Sequence, residues 1–337
     1  MRRTTSVSTP IAHLVGPGKL KVINGRLAFS AKDESPVRLD PSKLEEICCY
    51  GPVGITDDAF QMLFRYEIPV AWLSLAGQNC RGRLVRSDAS RTSLRLLQYQ
   101  AFLDLQWRTQ WAAQVVGAKI TSQIEAARYF QRKSTPDATD ILRQLESGFQ
   151  RCSQNPTIEQ LRGIEGAASA AWFRLFGTAL NDPWKFTQRT RRPPRDPVNA
   201  MLSLGYTWLH TRTLARVEAQ GLEPYLGGLH EYRAGRPSLV CDLVEPLRVP
   251  TVDRWVLRLC NRKGVTPEDF VPKDGGFRLT PQAFPNILQR WEEYWHDQHH
   301  DLTLSQIIDS LKGQLRQRKN SFPEVSTDEA QDDSEAL

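Results

Sequence analysis

Polar and apolar positions alternate along the first 85 residues of the chain in a way that is typical of β-strands. Residues 19–29 alternate on both sides of Asn24-Gly25, and this dipeptide favours a type I′ hairpin because both central residues need a positive φ. Further elements are predicted nearby: strands over residues 37–39, 45–50 and 68–75, and a short helix over residues 56–65. Residues 13–88 are therefore predicted to form a small β-rich domain.

From residue 90 onward the apolar residues recur three and four positions apart, which predicts helices. One stretch, residues 94–131, keeps this spacing without a proline. More helices are predicted over residues 137–151, 157–180, 197–220 and 281–295, and a small hairpin over residues 264–280. Asp196-Pro197 is a typical helix start and Gly221 a typical stop. The predicted fold class is α+β with two domains, in which an all-helical C-terminal domain covers residues 89–320.

The charge of the chain is distributed unevenly. The formal net charge is +6, from 44 Lys and Arg against 38 Asp and Glu. Residues 324–337 carry six acidic residues and no basic residue, so residues 1–323 have a net charge of +12. A basic body points to a polyanionic partner. The acidic tail, residues 321–337, is predicted to be disordered; it either aids solubility or competes with DNA for the basic surface or engages a partner.

Composition excludes several classes of protein. No apolar run approaches the ~18 residues of a membrane span, and the N-terminus has no signal-peptide pattern, so a cytoplasmic protein without a membrane partner is expected. The six cysteines form no C-x-x-C motif, which argues against a zinc knuckle or a disulfide framework. They are predicted to be small buried residues in a reducing compartment.

The first candidate for chemistry is a single carboxylate between two glycines inside a helical pattern. Gly163 and Gly166 flank Glu165 in the segment LRGIEGAA. Each glycine in a helix interior costs ~1 kcal/mol relative to alanine, so some close approach should require it. The alternative is tight helix packing with Glu165 in solvent.

The second candidate is the segment RTRRPPRDP, residues 189–197, with four arginines in seven residues. Guanidinium groups suit bidentate contacts to phosphate, and prolines stiffen the backbone that presents them. This predicts a nucleic-acid phosphate contact, with a solvated basic loop as the alternative.

The third candidate lies in residues 228–248. Asp242 and Glu245 are three positions apart, so both carboxylates project from one face of a helical turn that follows an apolar run. A divalent metal would satisfy such buried carboxylates, and His230 supplies a nitrogen compatible with Mg²⁺ or Mn²⁺. The alternative is a pair of exposed carboxylates and an unrelated histidine.

Four blocks occur in one order: LRGIEGAASAAWF, RRPPRDPVNAMLSLGY, GLHEYRAGRPSLVCDLVEPLR and VDRWVLRLCNR. Together they resemble the CRISPR-associated spacer-acquisition integrase, the metal-dependent endonuclease and integrase of CRISPR adaptation. The resemblance extends over about residues 14–295. The sequence departs from the family at Cys241 and Val244, where Leu and Met are more usual, and these are expected to be packing positions.

The resemblance implies a site and an activity. Its metal ligands fall on Glu165, His230 and Glu245, with Asp242 as a companion catalytic acid and Mg²⁺ or Mn²⁺ as cofactor. Gly163 and Gly166 would then let neighbouring helices approach Glu165. DNA-binding residues are expected at Arg162, Arg189, Arg191, Arg192, Arg195, Arg236 and Arg248. The implied reaction joins the 3′-hydroxyl of a short DNA fragment to the CRISPR repeat by transesterification.

The resemblance also implies partners: double-stranded DNA (fragment ends and CRISPR repeat), a homodimer formed through the N-terminal domain, and a small ferredoxin-like protein that bridges two dimers. Two other functions stay open, namely a structure-selective nuclease for branched repair intermediates and a non-catalytic DNA-binding scaffold.

Three further groups carry weaker signals. His296, His299 and His300 follow a predicted helix, and His296 and His300 either ligate zinc or belong to a solvated helix end. Trp291 and Trp295 are expected in the core or an interface, with a base-stacking platform as the alternative. Arg81, Arg83 and Arg86 either extend a DNA-binding surface or form a solvated charge run.

Overall fold

The computed structural model describes residues 11–31, 34–74, 77, 80–84, 92–133, 135 and 137–319. The predicted acidic tail, the boundary at residues 88–89 and Arg86 lie outside these residues. A β-rich N-terminal region precedes a mostly helical C-terminal region, so the predicted fold class is confirmed. Within the described part of the chain, every helix is too short or too polar to cross a membrane.

The N-terminal region consists of two four-stranded sheets and one helix. The elements are β1 (Ile11–Val15), β2 (Gly18–Ile23), β3 (Arg26–Ala31), β4 (Val37–Leu39), β5 (Glu46–Tyr50), β6 (Val53–Ile55), α1 (Asp57–Arg65), β7 (Val70–Leu73) and β8 (Cys80–Leu84). The first sheet has the order β1-β5-β7-β8 and is parallel except for β8; the second has the order β4-β3-β2-β6. The predicted hairpin joins β2 and β3, with φ of 51° at Asn24 and 72° at Gly25.

The first sheet lies between the second sheet and the helical region, so its strands β1, β5 and β7 are largely buried on both faces, whereas β8 is mostly exposed. In β5, Ile47 and Cys49 pack against the second sheet, whereas Cys48 and Tyr50 join the core of the helical region. Side chains alternate between the faces of a strand, so one strand serves both cores. This explains why the sequence EICCY is buried at every position.

The helical region is built from nine helices among the described residues and one hairpin. The elements are α2 (Thr92–Leu103), α3 (Leu105–Arg132), α4 (Ala138–Cys152), α5 (Ile158–Thr178), α6 (Pro197–Ala219), α7 (Ser238–Val244), α8 (Arg254–Asn261), β9 (Phe270–Lys273), β10 (Gly276–Leu279), α9 (Phe284–Asp297) and α10 (His300–Lys319). A π-helical turn, Arg248–Asp253, precedes α8. The β9–β10 hairpin lies within residues 264–280, where the sequence predicted a small hairpin in the helical region.

The long apolar pattern of residues 94–131 forms two helices rather than one. Asp104 interrupts it: its carboxylate accepts hydrogen bonds from the backbone N–H groups of Gln106 and Trp107 and so starts α3. A side chain that caps a new helix competes with continuation of the old one, and the periodicity of apolar residues does not reveal this.

The C-terminal end of the described chain corrects the expectation for the histidines. His296 belongs to α9 and His300 to α10, so they do not share a helix. His300 is buried, and burial lowers its pKa to about 4. A solvated helix end therefore describes His296 but not His300. Trp291 and Trp295 are buried in the core, as expected.

Charged side chains are buried where the two regions meet. His13 on β1 pairs with Glu292 on α9 at 3.0 Å, and Glu292 also accepts two bonds from Arg212 on α6. Also between the two regions, Arg83 of β8 pairs with Glu46 of β5 and with Glu218 of α6. Arg83 therefore joins the two regions and is neither a solvated charge nor a DNA contact.

Four of the six cysteines are buried, as the composition predicted. Cys80 is exposed and Cys241 is partly exposed, so these two depart from the expectation.

Candidate functional site

The loop before α7 is organised around the buried carboxylate of Asp242. Its Oδ2 accepts from the backbone N–H groups of Gly228 (2.6 Å) and Leu229 (3.1 Å), and its Oδ1 from that of His230 (3.0 Å). Oδ1 also lies 2.8 Å from Nδ1 of His230. A carboxylate can only accept, so Nδ1 carries the proton and Nε2 presents its lone pair. The geometry makes Asp242 a positioning residue for His230, and its role as a companion catalytic acid stays a prediction.

Two glycines allow the loop to lie this close to α7 and α3. A Cβ on Gly227 would be 2.7 Å from the backbone of Ser238 and 2.9 Å from Oδ2 of Asp242. A Cβ on Gly228 would be 2.4 Å from Cδ1 of Trp111. Any side chain here would push the backbone N–H groups away from the carboxylate, so glycine is required.

Glu165 and Glu245 approach each other from α5 and the end of α7, and Lys119 of α3 lies between them. The Lys119 ammonium donates to Oε1 of Glu165 and, at 2.6 Å, to Oε2 of Glu245. Ser169, one turn further along α5, donates to the same oxygen of Glu165 at 2.9 Å. The Glu165 side chain is 26% exposed and that of Glu245 only 3%. Glu245 is thus buried, whereas Glu165 is partly open to solvent.

The electrostatics of Glu245 are dominated by neighbouring cations. Burial would raise its pKa, but Arg248, 3.1 Å from Oε1, and Lys119 outweigh this and lower the pKa to about 2. Glu245 is therefore an anion at every pH at which the protein would work.

A second buried carboxylate, that of Asp253, is linked to the site through Tyr206 and Arg248. Asp253 accepts hydrogen bonds from Nε1 of Trp172 at 2.7 Å and from the hydroxyl of Tyr206. Burial raises the pKa of Asp253 to about 6, against the opposing effect of these two donors. The Tyr206 ring carries the guanidinium of Arg248, with 4.8 Å from Cζ to the ring centroid.

The arginine-rich segment divides into an inward and an outward part. Arg189 donates to Thr190, Asn199 and Ser203 and stacks on Tyr206, and burial lowers its pKa to about 10. These contacts correct the prediction of a phosphate contact for this residue: Arg189 holds the loop in place. Three arginines of the segment are exposed: Arg191, Arg192 and Arg195.

The other predicted DNA-binding arginines are engaged within the site. Arg162 of α5 donates to the carbonyl of Leu229 at 2.9 Å and to Glu231 at 3.1 Å, which ties α5 to the His230 loop. Arg236 donates to the carbonyl of Glu231. Arg248 pairs with Glu245. Each is partly buried, so any DNA contact would use only the donors these bonds leave.

Gly163 and Gly166 do not serve the purpose that the sequence suggested. A Cβ built on either meets no atom of the described residues within 4 Å, and both glycines are exposed. The neighbouring helices therefore do not need glycine there. Both glycines beside Glu165 are instead exposed to solvent.

The side chains of the site can be compared with the ligands that a divalent ion prefers. Among the described residues, no three His, Cys, Asp or Glu side chains are already grouped as metal ligands. Two carboxylates nevertheless share one cation, the ammonium of Lys119, and Nδ1 of His230 is held by Asp242, three positions before Glu245. Oxygen donors with one imidazole fit Mg²⁺ or Mn²⁺ once Lys119 is displaced.

Lys119 is not among the site residues that the sequence predicted, although its position on the apolar face of a helix is unusual for a lysine. In α3 it follows Val115 and Val116 by four and three positions and precedes Ile120, all of which are buried. A lysine on the apolar face of a helix must find a buried anion, because an unpaired charge there is costly. The sequence shows this requirement but not which carboxylates meet it.

The fold and the site define a class of protein, and comparison with known families agrees. Residues 13–293 match the family described as CRISPR associated protein Cas1. A CRISPR-associated endonuclease Cas1 of Thermus thermophilus is 35% identical over 249 residues, which cover 74% of this chain and 73% of that protein. The chain belongs to the Cas1 family, and such relatives support a nuclease.

Solved structures share the fold. A Cas1 protein from Thermotoga maritima superposes with a TM-score of 0.80 at 21% identity, covering 90% of this chain and 96% of that one. A casposase bound to integration product gives 0.69 at 24% identity, covering 84% and 81%. A Cas6-RT-Cas1–Cas2 complex gives 0.75 at 24% identity, covering 93% of this chain and 36% of that one.

Proposed function

We propose that this protein is a metal-dependent DNA integrase and endonuclease of CRISPR adaptation. It joins the 3′-hydroxyl of a short DNA fragment to the CRISPR repeat. The hydroxyl oxygen bonds to phosphorus and loses its proton, while the bond from phosphorus to the departing 3′-oxygen breaks and leaves a new 3′-hydroxyl. With water as nucleophile, the same chemistry cleaves DNA.

One observation carries this proposal: Glu165 and Glu245 converge on a single cation, and the loop of His230, whose Nδ1 is held by Asp242, is tied to the helix that bears Glu165. Such a set of donors, open to solvent on the side of Glu165, suits Mg²⁺ or Mn²⁺ ligated by Glu165, His230 and Glu245. A bound divalent ion would polarise the attacking oxygen and neutralise charge on the phosphoryl group.

Neighbouring residues hold the three proposed metal ligands in place, and exposed arginines would bind DNA. Asp242 keeps the proton on Nδ1 of His230, and Arg248 keeps Glu245 ionised and fixes its carboxylate. Arg191, Arg192 and Arg195 project from a loop that Asn199 and Asp196 stabilise by hydrogen bonds. These three guanidinium groups would anchor the phosphates that flank the scissile bond.

The proposed partners are double-stranded DNA, a second copy of the chain and a small ferredoxin-like protein that bridges two dimers. The casposase with an integration product and the complex that contains Cas2 support DNA and a Cas2-type partner. A single site joins one strand, so insertion of two fragment ends requires two active subunits.

Strand transfer with purified protein tests the proposal. We expect wild type to join a fluorescent 3′-hydroxyl oligonucleotide to a plasmid with CRISPR repeats in Mn²⁺ and not in EDTA. Glu165→Gln and His230→Ala should lose this activity while staying folded by circular dichroism. Equal activity of His230→Ala would refute the site. Cutting of branched junctions without strand transfer would favour a repair nuclease, and DNA binding without either reaction a scaffold.

The exposed arginines are tested by the salt dependence of binding. Arg191→Ala/Arg192→Ala should weaken duplex binding and reduce the slope of log K against log salt by about two, because each phosphate contact contributes about one. An unchanged slope would assign the loop another role.

A further inference from the structure

Lys119 is a buried cation located where the two predicted carboxylate ligands meet. Its side chain is 3% exposed, and its ammonium donates to both Glu165 and Glu245. Ammonium needs anionic partners when it is removed from water, and these two carboxylates supply them.

The ammonium in turn compensates the negative charges of Glu165 and Glu245. Glu245 is buried, and Arg248 is held on its other oxygen at 3.1 Å. Besides Lys119, the hydroxyl of Ser169 donates a hydrogen bond to Glu165. Removing the ammonium would therefore leave two carboxylates close together beside the guanidinium of Arg248, which pairs with Glu245, and this is unfavourable in a partly buried site.

A divalent ion ligated by the same oxygens would occupy the position of the ammonium. The two cations cannot both lie between these carboxylates, because they would repel strongly at such short separation. Lysine has a flexible four-carbon stem, so the ammonium can move while its Cα stays in α3.

We infer that Lys119 is a built-in counter-cation of the metal site: it neutralises Glu165 and Glu245 when no ion is bound and must release at least one of them when an ion binds. This inference rests on the proposed function. It makes Lys119 a positioning residue that stabilises the metal-free protein and lowers the affinity of the site for the ion.

The test compares wild type with Lys119→Met, which keeps the length of the side chain and removes its charge. The metal-free variant should melt about 5 °C or more below wild type, because two buried carboxylates lose their cation. Calorimetric titration with Mn²⁺ should show binding at least about tenfold tighter than in wild type, because no ammonium must leave. Lys43→Met, an exposed lysine of the β-rich region, is the matched control and should change neither quantity.

A second variant keeps the inference testable if Lys119→Met does not fold. Lys119→Met/Glu165→Gln removes one negative charge together with the positive one, and its metal-free melting temperature should return toward that of wild type. A double variant as unstable as Lys119→Met would overturn the inference. So would Mn²⁺ affinity in Lys119→Met that is equal to or weaker than in wild type.

Glu165→Gln separates this inference from the proposed function. If it leaves the Mn²⁺ affinity of the otherwise wild-type protein unchanged, the proposed metal site is refuted. If it weakens binding while Lys119→Met leaves binding unchanged, the metal site stands and only the role of Lys119 is refuted.

Discussion

Replacement of Asp242 by asparagine probes the contact that orients His230. The Asp242 carboxylate is completely buried, and both of its oxygens accept two hydrogen bonds. Asparagine offers one oxygen and one NH₂ group in the same space. Only one pair of donors can therefore keep its acceptor, and the other pair faces an N–H group.

The two possible orientations of the amide have different costs. With oxygen toward His230, the backbone N–H groups of Gly228 and Leu229 lose their acceptor. Each unsatisfied buried donor costs ~1–3 kcal/mol, so about 2–6 kcal/mol of stability is lost. With oxygen toward the glycine, the amide NH₂ faces Nδ1 of His230, which then must accept. The proton moves to Nε2, and the lone pair that would bind a metal is gone.

The two orientations therefore predict different losses. With oxygen toward His230, the melting temperature of Asp242→Asn, measured by circular dichroism, should fall on the order of 5–15 °C. With oxygen toward the glycine, calorimetry should show Mn²⁺ binding weakened by about tenfold or more. Asp140→Asn on α4 is the matched control, since its carboxylate is exposed and pairs with Arg143 on the surface. Wild-type melting and wild-type Mn²⁺ affinity in Asp242→Asn would show that Asp242 does not orient the histidine.

Three further predictions follow from burial and open space. Gly163→Ala/Gly166→Ala should raise the free energy of unfolding by up to about 2 kcal/mol in denaturant titrations, since both positions are open and alanine favours the helix; a loss of stability would show a hidden close contact. Burial, opposed by Arg83, raises the pKa of Glu46 from 4.5 to about 7, so the native state holds a proton that the unfolded chain releases. The stability of Glu46→Gln relative to wild type should therefore increase as pH rises from 4.5 to 7, and a flat difference in melting temperature would contradict this. Arg212→Met should cost about 3–5 kcal/mol in the same titrations, because it leaves a buried carboxylate without its guanidinium partner; a cost below about 1 kcal/mol would contradict this.

Local sequence chemistry predicted a large part of the fold. The Asn24-Gly25 turn, the alternation of strands β2 and β3, and the helix start at Asp196 all depend on residues that are neighbours in the chain. Four ordered sequence blocks led to the family to which the chain belongs. The same blocks named Glu165, His230 and Glu245, whose ligand roles stay predictions.

Long-range contacts decided the rest. Lys119 meets partners 46 and 126 residues away along the chain, and no periodic pattern encodes such a pairing. The same is true of Arg189, which turns inward onto Tyr206, while the arginines two and three residues further on stay exposed. Residue types and spacing determine which charges the chain carries and which elements bear them. Only packing of those elements decides which charges lose their water, and a buried charge must then find a partner. The cation between Glu165 and Glu245 is the product of that requirement.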